Sequence, residues 1–482
     1  MNRPIRRVAA VLAVLLIALI ANVTVIQVFR ASDYRDRPGN QRQLLEQYDR
    51  ERGPILVAAD PAARSVDTGD TLRYQRVYSN GPLYAPITGF YSLVYGATGL
   101  ERTENKILNG SSDLLFVDRT KQLFAGRQIQ GGAVSTTIDP LAQVAAFTGL
   151  GAKTGSVVAI EPSTGRILAS AQSPSFDPNL LSTHKPADIR EYYAKLTADP
   201  DKPLLNRPIV ALNPPGSTFK LVVTAAALAS GEYTSDSLLP GPKTYQLPNS
   251  TKRINNWNRK ACSASGVITL RDALAISCNT AFAWLGNQLG ADALRTQAQL
   301  MGFDTRFEIP LRAARSTFPE DPDAPQTSLS AIGQFDVRAT ALQMAMVASA
   351  VANRGVLMNP YMVQEVRGPD LAVLQTTTPT IFKQAMTAAN AASETEMMVN
   401  VVNNGTGSNA RIPGVEVAGK TGTAQTGNDR PSVAWFVAFA PAKNPKVAVA
   451  VCIEEAGTAE ISGNGLAAPI ARKVIQAVLR QS

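Results

Sequence analysis

From Phe219 to Ala229 the chain is apolar on nearly every face of a helix, and such a helix is normally buried at the centre of a domain. Asn213-Pro214-Pro215-Gly216 precedes it, a strongly helix-breaking run, so the helix must start from a sharp turn. Ser217 stands at that turn, and Lys220 follows three residues on, about one helical turn away and on the same face. Backbone N–H groups point outward there, and the helix dipole favours developing negative charge. A lysine partly desolvated in this setting loses its proton near neutral pH and can act as a base toward the serine. Taken alone, the pattern reads more simply as a helix cap beside a surface lysine. Ser182-Thr183-His184-Lys185 has the same form, but Pro186 follows it and no buried helix stands behind it, so it is set aside.

Two further segments change the weight of the first. Ser277-Cys278-Asn279 interrupts two helical patterns, one ending at Ile276 and the next starting at Thr280, so a short loop presents a hydroxyl and an amide. The hydroxyl can relay a proton and the amide can hold a substrate backbone. Lys420-Thr421-Gly422-Thr423 lies on a strand led by Val415 and Val417. Gly422 would let a substrate approach that strand and pair with it. Lys420 adds positive charge, and the hydroxyls of Thr421 and Thr423 suit a carboxylate. The N–H groups of Ser217 and Thr423 would form an oxyanion hole. Ser462-Gly463-Asn464 imitates the second segment but comes after the third, in the wrong order. The three in order, on helix, loop and strand, form the S-x-x-K to K-T-G signature of acyl-serine chemistry. The sequence has a single histidine, His184, in a polar, Pro-flanked stretch, so a lysine must deprotonate Ser217.

The 482 residues suffice for two or three domains, and 45% hydrophobic with 18% charged residues is an ordinary globular balance. The net charge of +9 is scattered without a long basic run, which argues against nucleic acid and for no more than mild attraction to anionic lipid or polymer. Arg3, Arg6 and Arg7 precede an apolar run from Val8 to about Phe29, roughly the length of a membrane-spanning helix. Basic residues on the short side predict a cytoplasmic N-terminus and an extracytoplasmic remainder. A cleaved signal peptide fits less well, because its apolar core would be shorter and no small-x-small site follows. With three cysteines and one histidine no metal site is expected. Either all three cysteines are buried thiols, or two are bridged; in that case Cys262 and Cys278 are the pair, since Cys452 lies in an apolar strand.

Residues 1–7 read as a tail, 8–29 as the anchor and 30–137 as a small mixed pedestal with no catalytic constellation, including a helix from Gln41 to Arg50. Residues 138–482 read as the catalytic domain. Its strand-like runs fall at both ends: Ser156–Ile160 and Arg166–Ala169, then Val415–Gln425, Ser432–Ala440 and Lys446–Ile453. Helical patterns lie between, over Thr269–Ile276, Thr280–Leu289 and Thr340–Asn353, and Ala467–Arg480 ends the chain. The expected fold is α+β: one antiparallel five-stranded sheet in which the first hairpin pairs with the last three strands, with helices on its faces and a helical lobe.

Several runs carry a family likeness: Arg52-Gly53 with Ile55 and Leu56, Thr136-Thr137-Ile138-Asp139 with Leu141-Ala142, Val158 to Pro162 with Thr164-Gly165, and Pro174 to Asn179. With the three motifs and the anchor, the chain resembles the class B penicillin-binding proteins over nearly its whole length, most of all those of the actinobacterial penicillin-binding protein A type. It departs from them after Leu56, where Val57-Ala58-Ala59-Asp60 replaces the usual acidic residue and arginine. The resemblance implies a β-lactamase-like catalytic fold and a D,D-transpeptidase without cofactor, serving division or cell shape. Ser217 would be acylated by a peptidoglycan stem peptide, on a lipid-linked precursor or nascent glycan, or by a β-lactam. It also implies a polytopic glycosyltransferase partner, since the pedestal is too short to polymerise glycan. Transfer to water would make a carboxypeptidase or β-lactamase instead, but the Glu-x-x-Leu-Asn run of a deacylating base is missing. A non-catalytic β-lactam sensor would need more than the seven or so residues expected on the cytoplasmic side.

Overall fold

The computed structural model describes residues 3–30, 48–126, 128–425, 432–457 and 462–480. The predicted Gln41–Arg50 helix falls largely outside them. An α-helix over Arg3–Thr24 runs on through Val25–Phe29, long and apolar enough to cross a bilayer. It starts within the basic residues rather than after them.

The catalytic sheet has five antiparallel strands, in the order Ala418–Ala424, Val433–Ala440, Val447–Glu455, Thr154–Ile160, Ile167–Ser173. The first hairpin does pair with the last three strands, Val158 standing opposite Ala450. Both faces are covered, which is why these strands read as continuous apolar runs. Val157, Ala159, Phe436, Val449 and Val451 face the helices Pro140–Leu150 and Ala468–Leu479. Val158, Ile160, Trp435, Val437 and Ala450 face the helical lobe, where every residue of Ala341–Ala352 is buried. Thr340 caps that helix through Gln343 N, and Thr269 caps Leu270–Ala275 through Asp272 N, as N-cap threonines do. The first strand begins at Ala418, not Val415, because Ile412 and Val415 close a tight turn before it.

A second, mixed sheet builds the pedestal, in the order Val373–Thr376, Val363–Arg367, Ala133–Thr136, Ile55–Val57, Asp60–Asp67, Tyr74–Tyr78. Two of its strands therefore come from the stretch between the second and third catalytic motifs in sequence. Arg52-Gly53 is explained by packing. Arg52 Nε and Arg76 Nε donate to the buried Glu101 carboxylate at 2.5 and 2.6 Å. A side chain on Gly53 would meet Gly132 O at 1.9 Å.

Helix Ala388–Asn403 lies between the lobe and the Ala418–Ala424 strand, and its Glu394 is fully buried. Neither carboxyl oxygen has a hydrogen-bond partner among the described residues, and burial pushes the pKa well above its ordinary 4.5. The folded state thus keeps a proton that the unfolded chain releases. The contribution is fully present below 4.5 and is lost as pH rises toward the folded value, by up to about 1.4 kcal/mol per pH unit. Glu394→Gln does not titrate, so its melting temperature should gain on that of the parent as pH rises from 5 to 8. A difference independent of pH would show that the carboxyl is not held protonated.

Candidate active site

The Pro214-Pro215-Gly216 run leads into one 3-10 turn, Gly216–Phe219, and then the α-helix Lys220–Ser230, buried from Lys220 to Leu228. Three contacts hold the turn. Asn213 exchanges both backbone hydrogen bonds with Ala339, Trp435 Nε1 donates to Pro214 O at 2.9 Å, and Gly216 N donates to Gly333 O at 2.9 Å. Gly216 has φ +52°, and a side chain there would meet Thr423 O at 2.8 Å, so only glycine lets the serine turn lie against the strand. Ser217 is half-buried, and its Oγ makes no hydrogen bond among the described residues.

Ser277 occupies an unusual place. Helix Leu270–Ala275 ends in a Schellman motif, with Cys278 N donating to Ala273 O and Ser277 N to Leu274 O. Ser277 takes the left-handed position of that motif, φ +61°, where glycine is the usual residue. The strained conformation costs about 1–2 kcal/mol and aims the hydroxyl inward. Asn279 then opens the helix Asn279–Leu289, and a disulfide joins Cys278 to Cys262. Closing a loop of that size stabilises a folded chain by about 3 kcal/mol. Cys452 stays a buried thiol.

Both motif lysines are wholly buried. Lys220 Nζ donates to Ser277 O at 2.9 Å, Ser277 Oγ at 3.2 Å and Asn279 Oδ1 at 2.8 Å. Lys420 Nζ donates to Ser277 Oγ at 2.9 Å and Thr421 O at 2.9 Å. One hydroxyl thus stands between two amines. Burial, and then the charge of Lys420, holds the Lys220 amine well below its ordinary pKa. Burial alone brings Lys420 down to about 7. Two full charges there would cost several kcal/mol each in lost hydration, so the pair is partly deprotonated at neutral pH.

On the strand, Thr423 is exposed, while Thr421 is buried with its Oγ1 2.6 Å from Thr406 Oγ1. Gly422 has a packing role that its motif does not show. A side chain there would meet Pro215 O and Thr218 Cγ2, both at 2.9 Å, so the glycine lets the strand close on the serine turn. The strand is the edge of its sheet, with a ladder to Val433–Ala440 on one side and an outer edge open to strand addition. His184 is elsewhere, bonded to Asp70 Oδ2 at 2.7 Å.

Ser217, Lys220, Ser277, Asn279, Lys420, Thr421, Gly422 and Thr423 are therefore brought together where the sheet meets the lobe. Trp435 and Thr406 were not among the residues singled out, and nothing local to either marks it. Trp435→Phe keeps the ring but leaves the buried Pro214 O unpaired. It should cost about 1–3 kcal/mol of stability by chemical denaturation and slow any acylation of Ser217. An unchanged acylation rate would show that the turn is held without it.

The transpeptidase domain model of the penicillin-binding proteins matches residues 155–476, and the penicillin-binding protein A dimerisation domain matches 52–134. The chain is 47% identical to the peptidoglycan D,D-transpeptidase PbpA of Mycolicibacterium smegmatis, with 100% of each covered. It is 45% identical to penicillin-binding protein A of M. tuberculosis, solved as a ceftriaxone acyl-enzyme, with TM-score 0.88 over 90% of this chain and 100% of that one. The penicillin G acyl-enzyme of the same protein, also 45% identical, superposes with TM-score 0.86 over 89% and 100%.

Proposed function

The chain belongs to the penicillin-binding protein transpeptidase family, and from that premise we propose that it is a membrane-anchored peptidoglycan D,D-transpeptidase working through Ser217. The observation that carries this reading is the convergence of two desolvated lysines on Ser277 Oγ, one helical turn from a serine with an unengaged hydroxyl.

A stem peptide lies along the open edge of the Ala418–Ala424 strand, its peptide groups held by Asn279 and the Thr423 backbone. Thr423 and Thr421, with the charge of Lys420, receive the terminal carboxylate. Neutral Lys220 takes the Ser217 proton as Oγ attacks the carbonyl of the penultimate D-Ala. The N–H groups of Ser217 and Thr423 stabilise the oxyanion. Ser277 passes a proton from the lysine pair to the leaving nitrogen, the C–N bond breaks, and the terminal D-Ala departs as a free amine. An amine of a neighbouring stem then attacks the ester carbonyl and gives up a proton through the same relay. The C–O bond to Ser217 breaks, Lys220 returns a proton to Oγ, and the crosslink is complete. A β-lactam acylates the same oxygen, but its leaving nitrogen stays tethered in the opened ring.

Residues 8–29 anchor the chain in the cell membrane, with Arg3, Arg6 and Arg7 on the cytoplasmic side. The pedestal of residues 30–137 and the transpeptidase domain of 138–482 lie outside. The pedestal, which carries no catalytic group of its own, is the surface for a polytopic glycosyltransferase that supplies the glycan.

The full chain incubated with penicillin should gain a slowly hydrolysed adduct, mapped to Ser217 by mass spectrometry. Rapid turnover would instead make it a β-lactamase, and no adduct would sink the acyl-serine reading. Lys220→Ala should slow acylation by about a thousandfold with the fold intact. The base must be neutral, so the parent acylation rate should rise with pH through the lowered pKa of Lys220. Lys420→Met removes a charge that helps lower it, so whatever acylation remains should have its acid limb at higher pH. A limb that stays in place would exclude Lys220 as the base.

A further inference from the structure

The helical lobe also touches the catalytic strand beyond the groups already described. Gly333 O accepts from Gly216 N, and a side chain on Gly333 would meet Gly216 O at 2.0 Å, so this loop lies on the serine turn. The next residue, Gln334, uses its side-chain amide on the backbone of Gln425. With the amide oriented so that both its atoms are satisfied, the nitrogen donates to Gln425 O and the oxygen accepts from Gln425 N, both at 3.2 Å. Bonds to the N–H and C=O of one residue are what a strand partner would make. Gln425 directly follows the Ala418–Ala424 strand and lies two residues beyond Thr423. Alternate residues turn their peptide groups to the same edge, so Gln425 and Thr423 both present theirs outward.

We infer that Gln334 is a positioning residue that fixes where the acyl donor must leave the strand edge. The inference rests on the strand-addition reading above. With the terminal carboxylate near Lys420 and Thr421 and the reacting carbonyl at Thr423, the remainder of the stem runs toward Gln425. The outward groups there are already paired with Gln334. The donor can form the ladder at Thr423 but not continue it, and its next residue must turn away from the sheet past the exposed Phe335 and Asp336. Gln334 thus discriminates between acyl donors by their length on the stem side of the reacting bond.

The test compares acylation of Ser217 in the full chain by 6-aminopenicillanic acid, which lacks an acyl side chain, and by the same nucleus carrying a peptide of several residues. Gln334→Ala should leave the short ligand within about twofold of the parent. It should speed the long one about fivefold, the worth of one added net hydrogen bond. Gln334→Glu, similar in size but unable to donate to Gln425 O, should show the same selective change and serves if the alanine variant melts early. An equal change with both ligands, or none with either, overturns the inference. Failure of the parent protein to label at Ser217 would overturn the acyl-serine reading instead.

Discussion

Two lysine amines share one hydroxyl in a place that water does not reach, and much of the molecule serves to keep them there. The partners of the two nitrogens are two carbonyls, one hydroxyl and an amide, with no carboxylate at either among the described residues. Neutralisation by an ion pair is therefore not on offer, and shedding a proton is the cheaper response to burial. The lowered proton affinity of both amines is thus a consequence of packing. The close packing of the serine helix and of the strand behind Lys420 is what makes the chemistry available.

The position of the serine is set mainly by backbone meeting backbone. Gly216 lies on Thr423, Gly333 on Gly216, Gly422 on Pro215, and Gly463 on Trp435 O and Gly422 O. At each crossing a side chain would force the two chains apart. Main-chain contacts of this kind leave fewer rotamers to settle than side-chain contacts do, so the nucleophile is held by a stiff frame. Ser277 is the exception in kind: a non-glycine residue kept in a left-handed conformation, its strain opposed by the Schellman bonds and by the disulfide at the next residue.

Much of this was legible in the sequence, because catalytic residues of this type travel in short ordered motifs and a doubly covered sheet advertises itself by apolar runs. The pairing of the first hairpin with the last three strands followed from having two strands at one end and three at the other. What was not legible depends on partners far away in the chain. Trp435 reads as one more apolar residue of its strand until Pro214 O is placed above its ring nitrogen. Thr406 sits in an Asn-Gly-Thr-Gly loop with no chemical pattern. The packing need for Gly422 was hidden because a motif shows that the side chain is missing, not which neighbour lies against it. The hairpin Val363–Thr376 carries no local sign that it belongs to the pedestal.

That hairpin decides how the pedestal and the catalytic sheet are joined. Val363 pairs with Thr136 in the pedestal sheet, and the adjacent Thr137 N donates to Met362 O at 2.8 Å. Thr137 Oγ1 donates to Ile167 O at 2.6 Å, and Asp139 N donates to Leu168 O, so the chain steps from one sheet to the other without a free linker. The strand it reaches, Ile167–Ser173, is the edge of the catalytic sheet opposite Ala418–Ala424. Attaching the pedestal there occupies one edge and leaves the other unpaired. An unpaired edge is in most proteins a liability for aggregation. Here that exposed edge is short, lies against the serine turn along one flank and is closed at Gln425 by a side chain. The open stretch is thereby confined to the few residues that face the nucleophile.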